Sequence, residues 1–212
     1  MSTQLAMARA ERVDLADYLA SLSPQQWQLP TLCTEWTVKD VVAHVISYEE
    51  LNPLGLLRRF ARGRGANANQ VGVDEYRALT PDELIGFLRA HTQPRGLTAA
   101  FGGMIALVDG TIHHQDIRRA LGHPRVIPPD RLARVLQLTR GNPRLGVPKR
   151  IRGLRLRAVD LDWETGAGTD VSGPGEALMM AMAGRPDSLG ELAGPGREVL
   201  AVRMGVDRSS WE

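Results

Sequence analysis

The chain has 212 residues, of which 43% are hydrophobic and 24% are charged, and its formal net charge is +2. This composition is typical of a folded globular protein and excludes disordered and fibrous chains. A single cysteine, Cys33, excludes an internal disulfide and fits a reducing compartment. The N-terminal residues lack the apolar core of a signal peptide, and no apolar run approaches the ~20 residues of a membrane span. We therefore expect a cytoplasmic protein with no membrane partner.

Hydrophobic periodicity predicts a helical N-terminal domain over residues 1–141. One helix is expected at residues 5–22, and a second long helix starts after Thr37, where Asp40 completes a capping box. Thr80 is the predicted cap of a later helix, which is followed by helices at 101–121 and 128–141. The segment 58–73 is rich in arginine, glycine and asparagine and is predicted to be a mobile loop.

The pattern changes after residue 141. In the segment 153–163, apolar Leu154, Leu156 and Ala158 alternate with arginines, which predicts a half-buried strand. Short helices are expected at 173–185 and 187–194, and a closing strand at 197–204. We therefore predict a small α+β domain over 142–212. The basic run 140–157 lacks interleaved aromatic residues, so we interpret it as a linker and solvent edge and expect no nucleic-acid partner.

The segment DGTIHHQDIRRALG, residues 109–122, contains the candidate site. At 100° per residue, Asp109, His113 and Asp116 share one helix face, whereas His114 points about 100° away. Helical bundles build metal sites from a histidine and a carboxylate one turn apart, and His44, within an apolar run, is the best remote third ligand. Two imidazoles and a carboxylate suit zinc or another divalent transition metal. The alternative is a structural helix face with core histidines, and both interpretations stay open at this point.

Two motifs carry a resemblance to a known family. CTEWTVKDVVAHV (33–45), followed by DGTIHHQDIRRALGHPR (109–125), resembles the mycothiol-dependent maleylpyruvate isomerase family, which is largely actinobacterial. The resemblance implies a mainly α fold, with a DinB-like four-helix bundle followed by a small α+β C-terminal domain. It also implies that His44, Asp109 and His113 bind the metal, with Asp109 replacing a family glutamate that is one methylene longer. Asp116 would orient His113 or complete the ligand shell.

The resemblance further implies a metal-dependent enzyme, acting as a monomer or homodimer, that uses a low-molecular-weight thiol such as mycothiol. The reaction would be isomerisation or S-transfer on a small electrophilic substrate, and zinc is the first candidate metal. Arginines suit substrate carboxylates, and the candidates are Arg58, Arg59, Arg62 and Arg64. Cys33 has no histidine beside it in the sequence, so we expect an ordinary half-buried thiol. The alternative function is a non-catalytic DinB-fold protein that binds a small ligand or a partner.

Overall fold

The computed structural model describes residues 3–64 and 67–207. It divides into two units, Met1–Arg125 and Val126–Glu212. The predicted domain boundary lay after residue 141, which would place the helix Pro129–Thr139 in the first domain. In the structure this helix packs against the helix Gly175–Ala183, and both belong to the second unit.

Helices build the described part of the first unit. They are α1 Gln4–Leu19, α2 Val38–Ile46, α3 Pro53–Arg62, α4 Ala68–Tyr76, α5 Pro81–Ala90 and α6 Ala100–Ala120, with 3-10 turns at Gln26–Gln28 and Gly96–Ala99. Because α1 packs on α5 and α6, and α2 packs on the same two helices, these four form the predicted bundle. Its core includes Leu15, Leu19, Trp27, Val41, Val42, Ile46, Leu84, Leu88 and Ile117.

Capping residues start two of these helices as predicted. The Thr37 hydroxyl accepts from the backbone N–H of Asp40, and the Asp40 carboxylate accepts from the N–H of Thr37 in return. Thr80 and Glu83 form the same box at α5. The prediction of a long second helix was wrong, because α2 ends at Ile46 after nine residues.

The segment 58–73 differs from its prediction as a mobile loop, because most of it lies in α3 and α4. Asn52 caps α3 by accepting from the N–H of Gly55 at 2.8 Å. From α3, the buried Arg59 donates to the backbone carbonyl of Ser47 at 2.6 Å and to Glu75 of α4. Tertiary hydrogen bonds therefore stabilise helices that the local composition disfavours.

The second unit combines helices with a three-stranded sheet in its described residues. The helices are α7 Pro129–Thr139, α8 Val147–Arg150, α9 Gly175–Ala183 and α10 Gly196–Met204, with a 3-10 turn at Pro186–Glu191. The strands are β1 Leu154–Ala158, β2 Glu164–Gly166 and β3 Thr169–Gly173. β1 lies centrally, antiparallel to β2 and parallel to β3. The predicted α+β character and the half-buried β1 are confirmed, since buried and exposed residues alternate along it.

The closing strand predicted at 197–204 is instead helix α10. Glu198 lies in its first turn and Arg203 in its last, which are the favourable ends of the helix dipole for those charges. Gly205 follows with a left-handed φ of 71° and ends the helix. Separately, no helix in the described ranges has the length and apolar character needed to cross a lipid bilayer.

Candidate metal centre

Two helices of the first unit bring three predicted ligands together. Asp109 Oδ1 lies 3.4 Å from His113 Nε2, one turn further along α6. Asp109 Oδ2 lies 3.6 Å from Nε2 of His44 on α2. The two imidazole rings are nearly perpendicular, with centroids 4.8 Å apart. One ligand atom from each of the three residues therefore lies within 4.8 Å of the other two.

The spacing of these donor atoms fits a divalent metal. Tetrahedral zinc with bonds of about 2.0–2.1 Å holds its ligand atoms about 3.3–3.4 Å apart. The distance from Asp109 Oδ1 to His113 and that from Asp109 Oδ2 to His44 are both close to this value, and the 3.6 Å distance to His44 exceeds that of a hydrogen bond. Imidazole nitrogen and carboxylate oxygen are also ligands that borderline divalent ions accept. The residues present thus fit such an ion.

The other nitrogen of His113 belongs to a second cluster. His113 Nδ1 lies 2.9 Å from Asp116 Oδ2, and Cys33 Sγ lies 3.0 Å from the same oxygen and 3.4 Å from the same nitrogen. These three residues are also a potential ligand group. Because the spacings to Asp116 are those of hydrogen bonds, we interpret the cluster as support for His113. When the ring is neutral, an Nδ1–H donated to Asp116 leaves the Nε2 lone pair facing Asp109 and His44.

Sequence reasoning missed the contact of Cys33 with this cluster. The prediction of an ordinary thiol rested on the absence of an adjacent histidine, but the histidine that Cys33 contacts, His113, lies 80 positions away in the sequence. No local pattern carries that contact. The half-buried position of the thiol agrees with the prediction.

Burial and charge set opposite protonation preferences in the site. Burial lowers the pKa of His44, and the charges of His113 and Arg59 lower it further, against the opposing effect of Asp109. Burial would also lower the pKa of His113, but the Asp109 carboxylate raises it well above its usual value. In turn, burial would raise the pKa of Asp109, and His113 holds it well below the usual range. Without metal, the site thus favours an Asp109–His113 ion pair beside a neutral His44.

Aromatic rings cover one side of the site. The Trp36 ring lies 5.0 Å from that of His44, and its Nε1 donates to Gln70 of α4 at 2.9 Å. The Tyr48 ring meets His44 edge-on at 6.1 Å, and its hydroxyl donates to Asn69 at 2.6 Å. The Asp109 side chain is 41% exposed, against 6% for His44. The site therefore opens to solvent at Asp109.

The predicted substrate arginines have different surroundings. Arg59 is buried, donates to Ser47 and Glu75, and stacks over the Tyr48 ring at 4.9 Å. Arg62 is exposed and shares Glu75 at 2.9 Å, whereas Arg58 and Arg64 are exposed on α3 and just after it. Arg59 is thus engaged within the fold, and the exposed arginines are the accessible ones.

A helical bundle with two histidines and a carboxylate gathered between α2 and α6 defines a candidate metalloprotein domain. Residues 8–100 match the family model described as the mycothiol maleylpyruvate isomerase N-terminal domain, so this part of the chain is similar to that family. The resemblance inferred from residues 33–45 is confirmed. Asp109 and His113 lie beyond the matched residues.

Solved structures extend the likeness in fold. A crystal structure of a histidine-to-alanine mutant of the mycothiol-dependent maleylpyruvate isomerase matches with a TM-score of 0.52 and 14% identity, covering 92% of this chain and 96% of that chain. A second structure of the mycothiol-dependent maleylpyruvate isomerase has a TM-score of 0.51 and 14% identity, covering 87% of this chain and 92% of that chain. At this identity the likeness establishes the fold. No curated protein sequence matches the chain.

Proposed function

We propose that this protein is a metal-dependent enzyme that uses a low-molecular-weight thiol of the mycothiol type for isomerisation of, or S-transfer on, a small electrophilic substrate. The observation that carries the proposal is that one ligand atom from each of His44, Asp109 and His113 lies within 4.8 Å of the other two. The family match of residues 8–100 and the shared fold support the choice of thiol and reaction.

A divalent metal, with zinc as the first candidate, would stabilise a thiolate at neutral pH when bound. His44 and His113 would hold it through their Nε2 atoms, and Asp109 through its carboxylate. Asp116 accepts the Nδ1 proton of His113 and keeps the ring oriented. The replacement of glutamate by aspartate is compatible with this role, because the Asp109 carboxylate reaches both histidines despite its shorter side chain.

The surroundings of the site suggest how the reactants approach. Thiol and substrate would enter beside Asp109, where the site is open, and Trp36 and Tyr48 would exclude water from the side of His44. Exposed Arg58 and Arg62 are proposed to bind substrate carboxylates, for which the guanidinium fork is suited.

Elemental analysis of protein purified without chelators or a histidine tag tests the metal. We expect one transition-metal ion per chain in wild type and none in His113→Ala. His91→Asn is the matched control, because His91 lies outside both ligand groups and contacts the Phe87 carbonyl of its own helix. A wild-type protein that cannot be loaded with zinc, nickel or manganese would overturn the proposal.

Turnover is then measured with mycothiol and a panel that begins with maleylpyruvate. We expect activity only when both thiol and metal are present. A second candidate function, a non-catalytic ligand-binding or partner-binding protein, is favoured by Asp109 in place of the family glutamate. It predicts that the loaded protein transforms no electrophile and that Asp109→Ala leaves ligand or partner binding intact.

A further inference from the structure

We propose that Cys33 is a positioning residue for the metal centre, and that its thiol acts on the ligand His113 through the carboxylate of Asp116. The inference rests on the proposed function, because it takes His113 as a metal ligand. It assigns to Cys33 neither a bond to the metal nor a direct part in the reaction.

Two donors converge on one oxygen of Asp116. The Cys33 thiol donates to Oδ2 at 3.0 Å, and His113 Nδ1 lies 2.9 Å from the same atom. Asp116 is completely buried, so the direction of its carboxylate depends on the groups that contact it rather than on bulk water. A buried acceptor that loses a donor pays a desolvation penalty or reorients. Removal of the thiol should therefore change the contact between Asp116 and His113.

The loop that carries Cys33 is attached to Asp116 at a second point. The backbone N–H of Leu32 donates to the Asp116 carbonyl at 3.3 Å. Within the loop, the N–H of Cys33 donates to the Thr31 hydroxyl at 3.1 Å, and the N–H of Trp36 donates to the Cys33 carbonyl at 3.0 Å. The thiol is therefore held in place by the backbone around it and by α6.

The side of the imidazole ring that the thiol contacts defines its role. Cys33 Sγ lies 3.4 Å from His113 Nδ1, whereas Asp109 and His44 lie on the side of Nε2. Since the ring separates the thiol from the point where His44 and Asp109 meet, Cys33 cannot reach the same ion in this arrangement. The geometry therefore favours an effect through Asp116 over direct ligation.

The test compares Cys33→Ala with Cys33→Ser, because serine keeps a hydrogen-bond donor at this position. We measure the zinc Kd by competition with a chelator, and the visible absorption of the cobalt(II)-loaded protein as a report on ligand geometry. Loss of a direct outer partner of a metal-bound histidine commonly costs 10–100-fold in affinity. One step further out, we expect Cys33→Ala to weaken zinc binding by about 3–10-fold and to shift the cobalt bands, and Cys33→Ser to restore both in large part.

Urea unfolding of the zinc-free variants verifies that each one folds. Equal Kd values and spectra for wild type and Cys33→Ala would overturn the proposal while leaving the proposed function intact. So would an equal loss in the serine and alanine variants, or a sulfur-to-cobalt charge-transfer band in wild type that disappears in Cys33→Ala, since this band would make Cys33 a ligand. A wild-type protein that binds no zinc would overturn both this proposal and the proposed function.

Discussion

His113 and His114 are neighbours on α6, yet they occupy opposite environments. His113 contacts Asp116 through Nδ1 and turns Nε2 toward the partly exposed Asp109. His114 is fully buried, with Nδ1 at 2.8 Å from Glu11 and Nε2 accepting from Arg118 at 2.9 Å. Both nitrogens of His114 are thus used within the fold. His113 is therefore the proposed ligand of the pair because its Nε2 is not used by a structural hydrogen bond of this kind.

The electrostatics of the two histidines differ in the same way. Burial lowers the pKa of His114 to about 4, despite the opposing effect of Glu11, so the ring is neutral in the folded protein. Burial would raise the pKa of Glu11, but His114 and Arg125 lower it to about 2. His113 has a raised pKa instead, because Asp109 favours its protonated form. One face of α6 therefore carries a structural ionic network, and the other carries the proposed metal site, where His113 favours its protonated form in the absence of metal.

The largest expected effect is a loss of stability on the His114 face that leaves zinc binding on the His113 face nearly unchanged. Glu11→Ala should lower the free energy of unfolding by about 3–5 kcal/mol, because it leaves the buried His114 and the half-buried Arg125 without their carboxylate partner. Urea unfolding of the zinc-free protein measures the loss. The zinc Kd of the folded fraction should stay within a few-fold of wild type, and a large loss of zinc affinity would contradict the separation of the two faces.

Lowering the pH should reduce the stability of the metal-free protein, because it protonates His114 and Glu11. The folded pKa of His114 is depressed from 6.5 to about 4, so the unfolded chain binds more protons and stability falls as pH drops through that window. The size of the shift corresponds to about 3 kcal/mol. Glu11 extends the loss between pH 4.5 and about 2, since its stabilising charge is removed as pH falls through its folded pKa. His113 has the opposite sign: its contribution is present below pH 6.5 and is lost as pH rises through its raised pKa.

Urea titrations of chelator-treated protein at a series of pH values measure these slopes. His114→Gln should flatten the change between pH 6.5 and 4. A wild-type protein whose stability increases as the pH falls from 6.5 to 4 would refute the assignment of a neutral His114.

Asp109→Asn should affect binding more than folding. The amide removes the anionic ligand, and we expect zinc affinity to fall by about 100-fold or more, which corresponds to about 2.8 kcal/mol. The side chain is 41% exposed, so its ion pair with His113 should contribute only about 0–1 kcal/mol to metal-free stability. Isothermal titration with zinc and urea unfolding measure the two quantities. If the loss of unfolding free energy exceeded the loss of zinc-binding free energy, Asp109 would, like Glu11, act mainly by stabilising the fold.

The smallest effect concerns the loop that supports the His113 face. Glu35 adopts a left-handed φ of 70°, which costs a non-glycine residue about 1–2 kcal/mol. Glycine removes that strain but gains freedom in the unfolded chain, so Glu35→Gly should raise the free energy of unfolding by about 0.5–1 kcal/mol. Thermal unfolding is the measurement, and Glu35→Ala, which keeps the strain, is the control. An equal increase in both variants would point to the lost charge rather than to the backbone.

Local sequence patterns predicted those features of the fold and the site that depend on a single helix. The spacing of Asp109, His113 and Asp116 placed them on one face and His114 off it, as the structure has them, and the apolar run around His44 marked an inward histidine. Capping chemistry located the starts of α2 and α5 for the same reason. These signals depend only on helical periodicity and on hydrogen bonds between residues three apart.

Contacts between distant segments were not predictable from one sequence. The helices α3 and α4 depend on Arg59 reaching Ser47 and Glu75, and a composition rich in glycine and asparagine concealed them. The contacts of Cys33 with His113 and of Glu11 with His114 join residues 80 and 103 positions apart. In α10, nine residues are too few to separate a helical period from an alternating one.

The division of the proposed ligands between α6 and α2 also bears on how the protein folds. Asp109 and His113 are one helical turn apart, so α6 alone can present two ligands before the bundle forms, whereas His44 lies 65 residues earlier in the chain. Bringing His44 to them requires closure of a long loop, and the entropy cost of that closure slows folding. A divalent ion should therefore bind a nascent chain weakly and the assembled bundle tightly. Binding of the ion after the bundle has formed should therefore slow unfolding more than it speeds folding.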